Sequence, residues 1–450
     1  MLFTLRDEFY TPDQVKKFLH RVRPYMPRVR KGKLWYYNCP AAFDLEASSF
    51  RMEESEEKAG CMYAWMLGIC GLVMLGRTWQ EYEAVMAYLV ETLKLDAEHR
   101  IVLYSHNLAY DWQWIRRHHD WADIMALAMR EPIRACTDTG LEFRCSLKLS
   151  GMSLDKLADE LRTYHVRKLS GSLEYNLIRT PETELTESEY DYCIHDVQVV
   201  MAYIQERMDE EGGITRIPST RTGYVRRYCR DHCFELEPGK KKCAYKRIIK
   251  ALPMDLDEYN QLRAAFCGGY THAAACKVDK DIHDVTSFDF TSSYPAVMIS
   301  EEFPMSAGRI VQVSSEEELQ TYLDLYCCVF DVELHGLVSK YAAPDHYLSK
   351  SKCRDIRRPT VDNGRIVTAD QLSTTVTDVD WDIIKATYDY TDAYIYNMRV
   401  YRKGYLPTKL VEAVLQLYRD KTQLKGVAGK EAEYQLAKSM LNSVYFAECA

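Results

Sequence analysis

Three short runs place carboxylates where they can act together. Asp44-Leu-Glu46 puts two of them two residues apart, and if the run is a strand, its period of two sends both side chains to one face. Asn107-Leu-Ala-Tyr-Asp111 follows the apolar run Ile101-Val-Leu-Tyr-Ser105, so Asp111 comes just past the end of a short buried strand. Tyr192-Cys-Ile-His-Asp196 lies in a helical pattern, where i, i+4 spacing sets the phenol and the carboxylate on one face, a turn apart. Each run alone is ordinary: Asp-x-Glu is common on surfaces, Asn and Asp cap helices, and a half-buried Tyr often neighbours a solvated Asp. Together, the four carboxylates can hold two hard divalent cations through oxygen. Two such cations would clamp an in-line displacement at phosphorus by water, and the Tyr192 hydroxyl would orient that water.

A second set lies further on. Ser287-Phe-Asp-Phe-Thr291 reads as a strand that ends at Tyr294-Pro295. Asp289 at its end, followed by small residues, makes a tight turn whose backbone amides can meet triphosphate oxygens while the carboxylate holds metal. Lys438-Ser-Met-Leu-Asn-Ser-Val-Tyr445 reads as helix, with Lys438, Asn442 and Tyr445 at i, i+4 and i+7 along one stripe. Such a stripe sets a cation on a triphosphate and an aromatic ring near a base. Lys421, Lys425 and Lys430 on the preceding arm can add phosphate contacts.

The first set resembles the DEDDy-type 3′–5′ exonucleases of family B DNA polymerases. The resemblance implies that Asp44, Glu46, Asp111 and Asp196 ligate Mg²⁺ or Mn²⁺ in a two-metal site and that Tyr192 positions the water. Ser146-Leu147 resembles the Ser-Leu element that acts on the frayed primer strand, and Asn107, Tyr110 and Tyr175 match single-strand contacts. Aromatic faces suit a site that must hold any sequence. Lys168 is the lysine nearest to the family's exonuclease lysine. Asp289-Phe-Thr-Ser-Ser-Tyr-Pro295 is similar to motif A, Dx2SxYP, which implies that Asp289 is a catalytic metal ligand and that Tyr294 lies under the sugar of the incoming dNTP. The Lys438–Tyr445 run is similar to motif B, Kx3NSxYG, with Phe446 where the family has glycine. Phe266-Cys-Gly-Gly269 resembles the YxGG segment of protein-primed members, with Phe for Tyr. Residues 375–402 are similar to the region of protein-primed phage polymerases whose insertion docks the terminal protein.

The resemblance implies a mixed α/β chain: an RNase H-like 3′–5′ exonuclease domain, then an incomplete palm with a helical-hairpin fingers element. The expected divisions are a basic N-terminal extension over 1–33, the exonuclease over 34–210, a linker over 211–265, the palm over 266–409 with an insertion at about 335–375, and fingers helices over 410–450. Motif C, YxDTD, is not found, so little polymerisation is expected of this stretch alone. The implied partners are DNA, both primer-template and a single-stranded 3′ end, a dNTP, a terminal protein as primer, and a separate chain supplying motif C and the thumb. The implied location is the cytoplasm of a phage host, away from any membrane. The competing expectations are an exonuclease-only fragment and a non-catalytic DNA-binding fragment of a split polymerase.

Positioning the first set requires alternating strands and helices. Leu34-Trp-Tyr-Tyr is β-prone, Met62–Leu75 reads as one buried strand, and Trp79–Lys94 is helical with Tyr82, Val85, Met86 and Leu89 on one side. Asp111–His119 and Glu187–Met208 read as helices, which gives an α/β pattern over 34–210. Residues 211–255 read as a loop-rich connector with some helix, Cys327–Leu334 as an alternating strand, 340–375 as polar and irregular, and Leu410–Gly426 with Lys430–Val444 as a helical hairpin. A chain of 450 residues, 47% hydrophobic, is long enough for two or three cores. No apolar run reaches spanning length, and the start, charged by Arg6 and Asp7, does not read as a signal peptide. The net charge of −8 argues against a non-specific DNA coat but leaves room for local basic patches such as 21–33 and 221–230. Fifteen cysteines without CxxC pairs fit reduced thiols; Cys229 and Cys233 flank His232 but have no matching second pair for zinc.

Overall fold

The computed structural model describes residues 4–5, 12–51, 58–166, 177–271, 277, 279–340, 346–428 and 430–448. Lys168 and Tyr175 lie outside these, as does the side chain of Tyr445. The chain divides into two units, Met1–Tyr224 and Val225–Ala450. Among the described residues no helix is long and apolar enough to cross a membrane.

The first unit opens with β1 (Thr4–Leu5), α1 (Pro12–Val22), β2 (Arg28–Lys31) and β3 (Leu34–Tyr37). It continues with β4 (Ala41–Arg51), β5 (Lys58–Ile69), β6 (Leu72–Gly76), α2 (Trp79–Leu93), β7 (His99–Ser105) and α3 (Leu108–Ile115). It closes with β8 (Trp121–Ala126), β9 (Pro132–Thr137), β10 (Leu141–Cys145), α4 (Ser146–Ser150), α5 (Leu154–Asp159) and the long α6 (Glu187–Glu211). The strand order is β1-β6-β5-β4-β7-β10-β9-β8, with the β2–β3 ribbon joined to β7. Strand β7 runs parallel to β4 and β10, and the other neighbours of β4 and β10 are antiparallel.

Helices cover both faces of this sheet, as alternating strand and helix patterns demand. On one face Phe43, Leu45, Trp65 and Leu103 pack against α1, α2 and α3 through Phe18, Tyr82, Met86 and Leu108. On the other, Ala42, Met66, Val102 and Tyr104 pack against α5 and α6 through Leu157, Val197, Met201 and Ile204. Burying each such side chain contributes about 1.5–3 kcal/mol. Because Phe43 and Leu45 face one layer, alternation turns Asp44 and Glu46 toward the layer of α6.

Two expectations change here. Residues 12–31, expected within a basic extension, belong to the unit: Val15, Phe18, Leu19 and Val22 of α1 are buried in its core and β2 pairs with β3. A hydrophobic stripe under an exposed basic face conceals that burial in composition. The apolar stretch at 62–75 is two strands, not one, reversed at Cys70-Gly71, where both residues have positive φ (51° and 86°). Gly68, paired with Val73 in that hairpin, is where α6 comes closest: a Cβ there would lie 2.6 Å from Val197 Cγ1 and 2.6 Å from Met201 Cε. Gly68→Val should therefore destabilise the unit by about 1–3 kcal/mol and displace the helix that carries Asp196. Chemical denaturation checks the first effect and metal affinity the second.

The second unit takes up within α7 (Arg221–Phe234) and continues with α8 (Ala244–Ala251), α9 (Leu256–Ala265), α10 (Ser293–Ser300), β11 (Phe303–Pro304), β12 (Arg309–Val311) and α11 (Glu316–Leu325). Then follow β13 (Tyr326–Ser339), β14 (Cys353–Arg357), β15 (Thr360–Asp362), β16 (Arg365–Thr377), α12 (Asp378–Thr387), β17 (Tyr388–Asp389), β18 (Asp392–Gly404), α13 (Thr408–Leu424) and α14 (Glu431–Glu448). Its sheet is antiparallel, in the order β11-β18-β13-β16-β14. The connector at 211–255, expected to be loop-rich with some helix, carries α7 and α8, and α9 follows it.

Two further expectations fail in this unit. Residues 340–375, expected to be polar and irregular, hold β14, β15 and most of β16. Their polarity misleads because β16 buries Ser373, Thr374 and Thr375. Asp331 of β13 satisfies part of that set, accepting from Thr375 Oγ1, from Arg354 Nη2 at 3.0 Å and from Asn397 Nδ2 at 3.0 Å. The strand expected at 287–291 does not form, and Phe288 and Phe290 are 90% and 86% exposed. A strand needs a hydrogen-bonded neighbour, and among the described residues none pairs with this segment.

Candidate metal and nucleic-acid site

Asp44 and Glu46 stand on β4, in register with Met66 and Ala64 of β5. The pairing Ala42↔Tyr104 sets β4 beside the end of β7, where the chain turns into α3. Asn107 makes that turn with φ 74°, at the helix N-cap, yet its side chain makes no capping bond and is exposed. Asp111 thus falls in the first turn of α3, where the helix dipole favours negative charge. Helix α6 is fixed at its start by a capping box, Thr186 with Glu189, and Glu189 also accepts from the Arg179 guanidinium at 2.6 and 2.9 Å. Arg179 is itself tied to β4, its backbone N–H donating to Ser48 Oγ at 2.9 Å. That anchoring sets where Tyr192 and Asp196 lie along the helix.

The result is a carboxylate cluster. One ligand oxygen each from Asp44, Glu46 and Asp196 all lie within 4.8 Å of one another. Asp111 is close enough to be the largest charge acting on Asp44. Burial, then Asp111, Glu46 and Asp196, hold the Asp44 carboxyl well above the usual carboxylate range. Burial pushes Asp111 up to about 7, opposed by the hydroxyl of Ser105, which donates to its Oδ2. Asp111 Oδ1 has no hydrogen-bond partner among the described residues. Uncompensated carboxylates this close repel one another, and the common remedy is a divalent cation. An all-oxygen donor set suits Mg²⁺ or Mn²⁺ rather than a soft metal. Among the described residues this is the one group of three or more candidate ligands near enough to share an ion. Cys229 and Cys233 are instead buried in an apolar cluster with Val225, Leu410 and Val414.

Around the cluster, Tyr192 is half-buried, one turn before Asp196. Tyr110 is 45% exposed with its ring 6.5 Å from that of Trp114. Burial and then the charges of Glu46 and Asp111 push its phenol up to about 12. Leu147 is half-buried, but Ser146 is fully buried, with its hydroxyl 3.0 Å from His106 Nδ1 and 3.3 Å from the Ser105 carbonyl. Ser146 therefore braces the loop that begins at the end of β7. Sequence reading missed Ser105 and His106, which link Asp111 to Ser146, and Tyr63, whose phenol is raised by burial and by Glu46. The signal for Ser105 was available: a small polar residue closing an apolar strand, six residues before a candidate ligand. Ser105→Ala should raise the Asp111 pKa further, by about one unit. The expected result is roughly fivefold weaker Mn²⁺ binding at neutral pH, recovering at higher pH, in calorimetric titrations.

In the second unit Asp289 is exposed, three residues ahead of Ser292, the N-cap of α10, which has φ 54°. The Lys421 ammonium donates to Ser292 Oγ at 2.8 Å, so the arm of α13 reaches this turn. The Tyr294 hydroxyl lies 2.8 Å from where a Gly269 Cβ would be, so the tip of this tyrosine comes close to the 266–269 segment. Met298 of α10 shares an apolar cluster with Leu410, Val414 and Leu417 of α13 and with Leu441 and Val444 of α14. Lys438 and Asn442 of α14 are exposed.

A family model described as DNA polymerase type B, organellar and viral, matches residues 132–446. The DNA polymerase of Bacillus phage B103 is 24% identical over 303 residues, covering 67% of this chain and 47% of its own length. That of Bacillus phage phi29 is 24% identical over 312 residues, with the same coverage. The chain spans about half the length of the curated relatives it matches. A solved structure of phi29 DNA polymerase complexed with primer-template DNA matches with a TM-score of 0.62 at 18% identity, over 91% of this chain and 67% of that one. One complexed with single-stranded DNA gives 0.63 at 18% identity, over 92% and 68%. At that identity the likeness is one of fold.

Proposed function

Since the chain belongs to the organellar and viral type B DNA polymerases, we propose that it is the editing half and the leading part of the polymerising half of a protein-primed phage DNA polymerase. The observation that carries this reading is the carboxylate cluster of Asp44, Glu46 and Asp196, with Asp111 beside it, on an α/β sheet. The first unit then acts as an RNase H-like 3′–5′ exonuclease on the single-stranded end of a primer. Two Mg²⁺ or Mn²⁺ ions bound there would supply charge neutralisation and an acidified water. The four carboxylates hold their positions through β4, α3 and α6. The Tyr192 hydroxyl orients the attacking water toward phosphorus. Tyr110, exposed at the cluster's edge, offers a ring face to a terminal base, and the Asn107 side chain, not used as a cap, is free to meet a sugar or phosphate.

The second unit supports palm and fingers roles. Asp289 would ligate metal, Tyr294 would lie under the dNTP sugar, and Lys438, Asn442 and Tyr445 would line the triphosphate and base. The Lys421–Ser292 bond and the close approach of Tyr294 to Gly269 support a single nucleotide-facing corner built from these segments. Priming would come from a terminal protein docked near residues 375–402. The test is direct. Purified chain with Mn²⁺ and a labelled single-stranded oligonucleotide should release nucleotides from the 3′ end. Any primer extension, by the chain alone or joined to further polypeptide of a polymerase of this family, should be abolished by Asp289→Ala. Absence of 3′ degradation with either Mg²⁺ or Mn²⁺ rejects the exonuclease reading.

A further inference from the structure

Strand pairing slips by one residue beside the carboxylate cluster. Glu46 pairs with Ala64 and Ala47 with Met62, so Tyr63 is the extra residue of a β-bulge on β5. A bulge leaves its extra residue outside the ladder and re-aims the side chain. The Tyr63 ring is buried, and the Arg179 guanidinium lies 5.8 Å from its centroid. The Tyr63 carbonyl finds its partner in a side chain: Arg77 Nε donates to it at 2.6 Å.

Arg77 does more than satisfy that carbonyl. Its Nη2 donates to the carbonyls of Thr180 at 3.1 Å and Thr183 at 2.6 Å, which lie 103 and 106 residues further along the chain. Those two threonines close a turn on themselves. The Thr180 backbone N–H donates to Thr183 Oγ1 at 2.9 Å, and the Thr183 N–H to the Thr180 carbonyl at 3.0 Å. Shortly after this turn Thr186 caps α6. Arg77 is itself fixed: it is buried, follows directly on β6, and its backbone N–H donates at 2.8 Å to Glu81 Oε2, part of the capping box of α2. The rigid guanidinium fork suits three carbonyls spread over two segments. One side chain thus ties the bulge opposite Glu46 to the turn that leads into the helix of Tyr192 and Asp196.

We propose that Arg77 is a positioning residue of the editing site, setting Tyr192 against Glu46 through the bulge carbonyl and the Thr180–Thr183 turn. The proposal rests on the exonuclease reading above and adds to it a residue outside the carboxylate cluster. Tyr192 takes the effect rather than Asp196 because of where each lies on α6. Asp196 is followed by Val197, Val199, Val200 and Met201, all buried in the core, so packing holds that part of the helix. Before Cys193 only Glu189 is buried, and Tyr190, Asp191 and Tyr192 are half-buried, so the start of the helix depends on the loop that enters it. Arg179 ties that loop to β4, and Arg77 ties it to β5. A lysine ammonium is a single point of charge on a flexible stem and does not reproduce the fork.

The test compares wild type, Arg77→Lys, Tyr192→Phe and the double variant in 3′ nucleotide release from a single-stranded oligonucleotide with Mn²⁺. Each chain is assayed well below its melting midpoint. Arg77→Lys should lower kcat by about tenfold while KM stays within about twofold of wild type. In the Tyr192→Phe background the same substitution should cost less than about threefold, because the hydroxyl it positions is gone. A loss of folded fraction would carry through both backgrounds undiminished, and that result would overturn the proposal. Mn²⁺ affinity by calorimetry should stay within about threefold of wild type. A loss of affinity matching the loss in kcat would place the effect on the carboxylates and overturn it too, as would wild-type kcat in Arg77→Lys. Should Arg77→Lys not fold, Arg77→Gln, which keeps an amide donor without a buried charge, takes its place. A chain that folds with neither substitution makes Arg77 a packing residue alone and overturns the proposal. No 3′ release by the wild-type chain overturns the exonuclease reading, and this proposal with it.

Discussion

Asp44→Ala should slow 3′–5′ degradation of a single-stranded oligonucleotide by about a thousandfold or more, the equivalent of about 4 kcal/mol of transition-state stabilisation. Asp44 is in the position to cost most. It shares ligand geometry with Glu46 and Asp196 and feels the charges of all three other carboxylates. Removing it takes away a ligand without disturbing the sheet, because its strand neighbours Phe43 and Leu45 carry the packing on the opposite face. Affinity for the oligonucleotide in EDTA should hold or rise, since one anion fewer faces the phosphates. Glu46→Ala and Asp196→Ala should behave alike. Tyr192→Phe should cost less, about tenfold, because it removes orientation of the water and leaves the metal ligands in place. Rapid-quench measurement of 3′ nucleotide release separates the classes. Residual activity within tenfold of wild type for Asp44→Ala would mean that hydrolysis happens elsewhere.

Much of this site was legible because its parts obey local rules. The Asp-x-Glu pair follows strand alternation, Asp111 follows a buried strand, and Tyr192 with Asp196 follows helical spacing. Their meeting could be inferred only through family resemblance, since convergence of β4, α3 and α6 is a tertiary fact. The supporting residues were less visible. Ser105 acts through its hydrogen bond to Asp111, and Arg179 through bonds to Ser48 and Glu189, and no periodicity records such bonds. Ser146 was expected against a DNA strand by analogy, yet it is wholly buried against His106 and Ser105. The failures in the second unit have two causes. β16 reads as polar because it buries Ser373, Thr374 and Thr375, of which Thr375 donates to Asp331 of β13 and Thr374 to the Lys352 carbonyl, and 287–291 reads as strand because alternation reports propensity and not the presence of a neighbour.

Asp111 supplies the second large effect, in stability. Burial pushes its carboxyl up to about 7 in the folded chain, from an ordinary 3.8, so between those values the folded state holds a proton that the unfolded state has released. Stability without metal must then fall as pH rises through this window, by up to about 4 kcal/mol for this one group. Asp44 shifts the same way and steepens the fall. A divalent cation binds the deprotonated carboxylates and opposes the loss, adding about 2.7 kcal/mol at a hundred times its dissociation constant. Asp111→Asn separates the two contributions. In EDTA at pH 8 the variant should melt higher than the parent by several degrees, because no buried charge has to form. With Mg²⁺ the order should reverse or close, because the variant has lost a ligand and gains little from the ion. Melting curves at pH 5 and pH 8, each with EDTA and with Mg²⁺, read all four states. A parent whose midpoint in EDTA does not change between those pH values would show that the carboxylates are not crowded as described. A variant still raised by Mg²⁺ as much as the parent would remove Asp111 from the metal site.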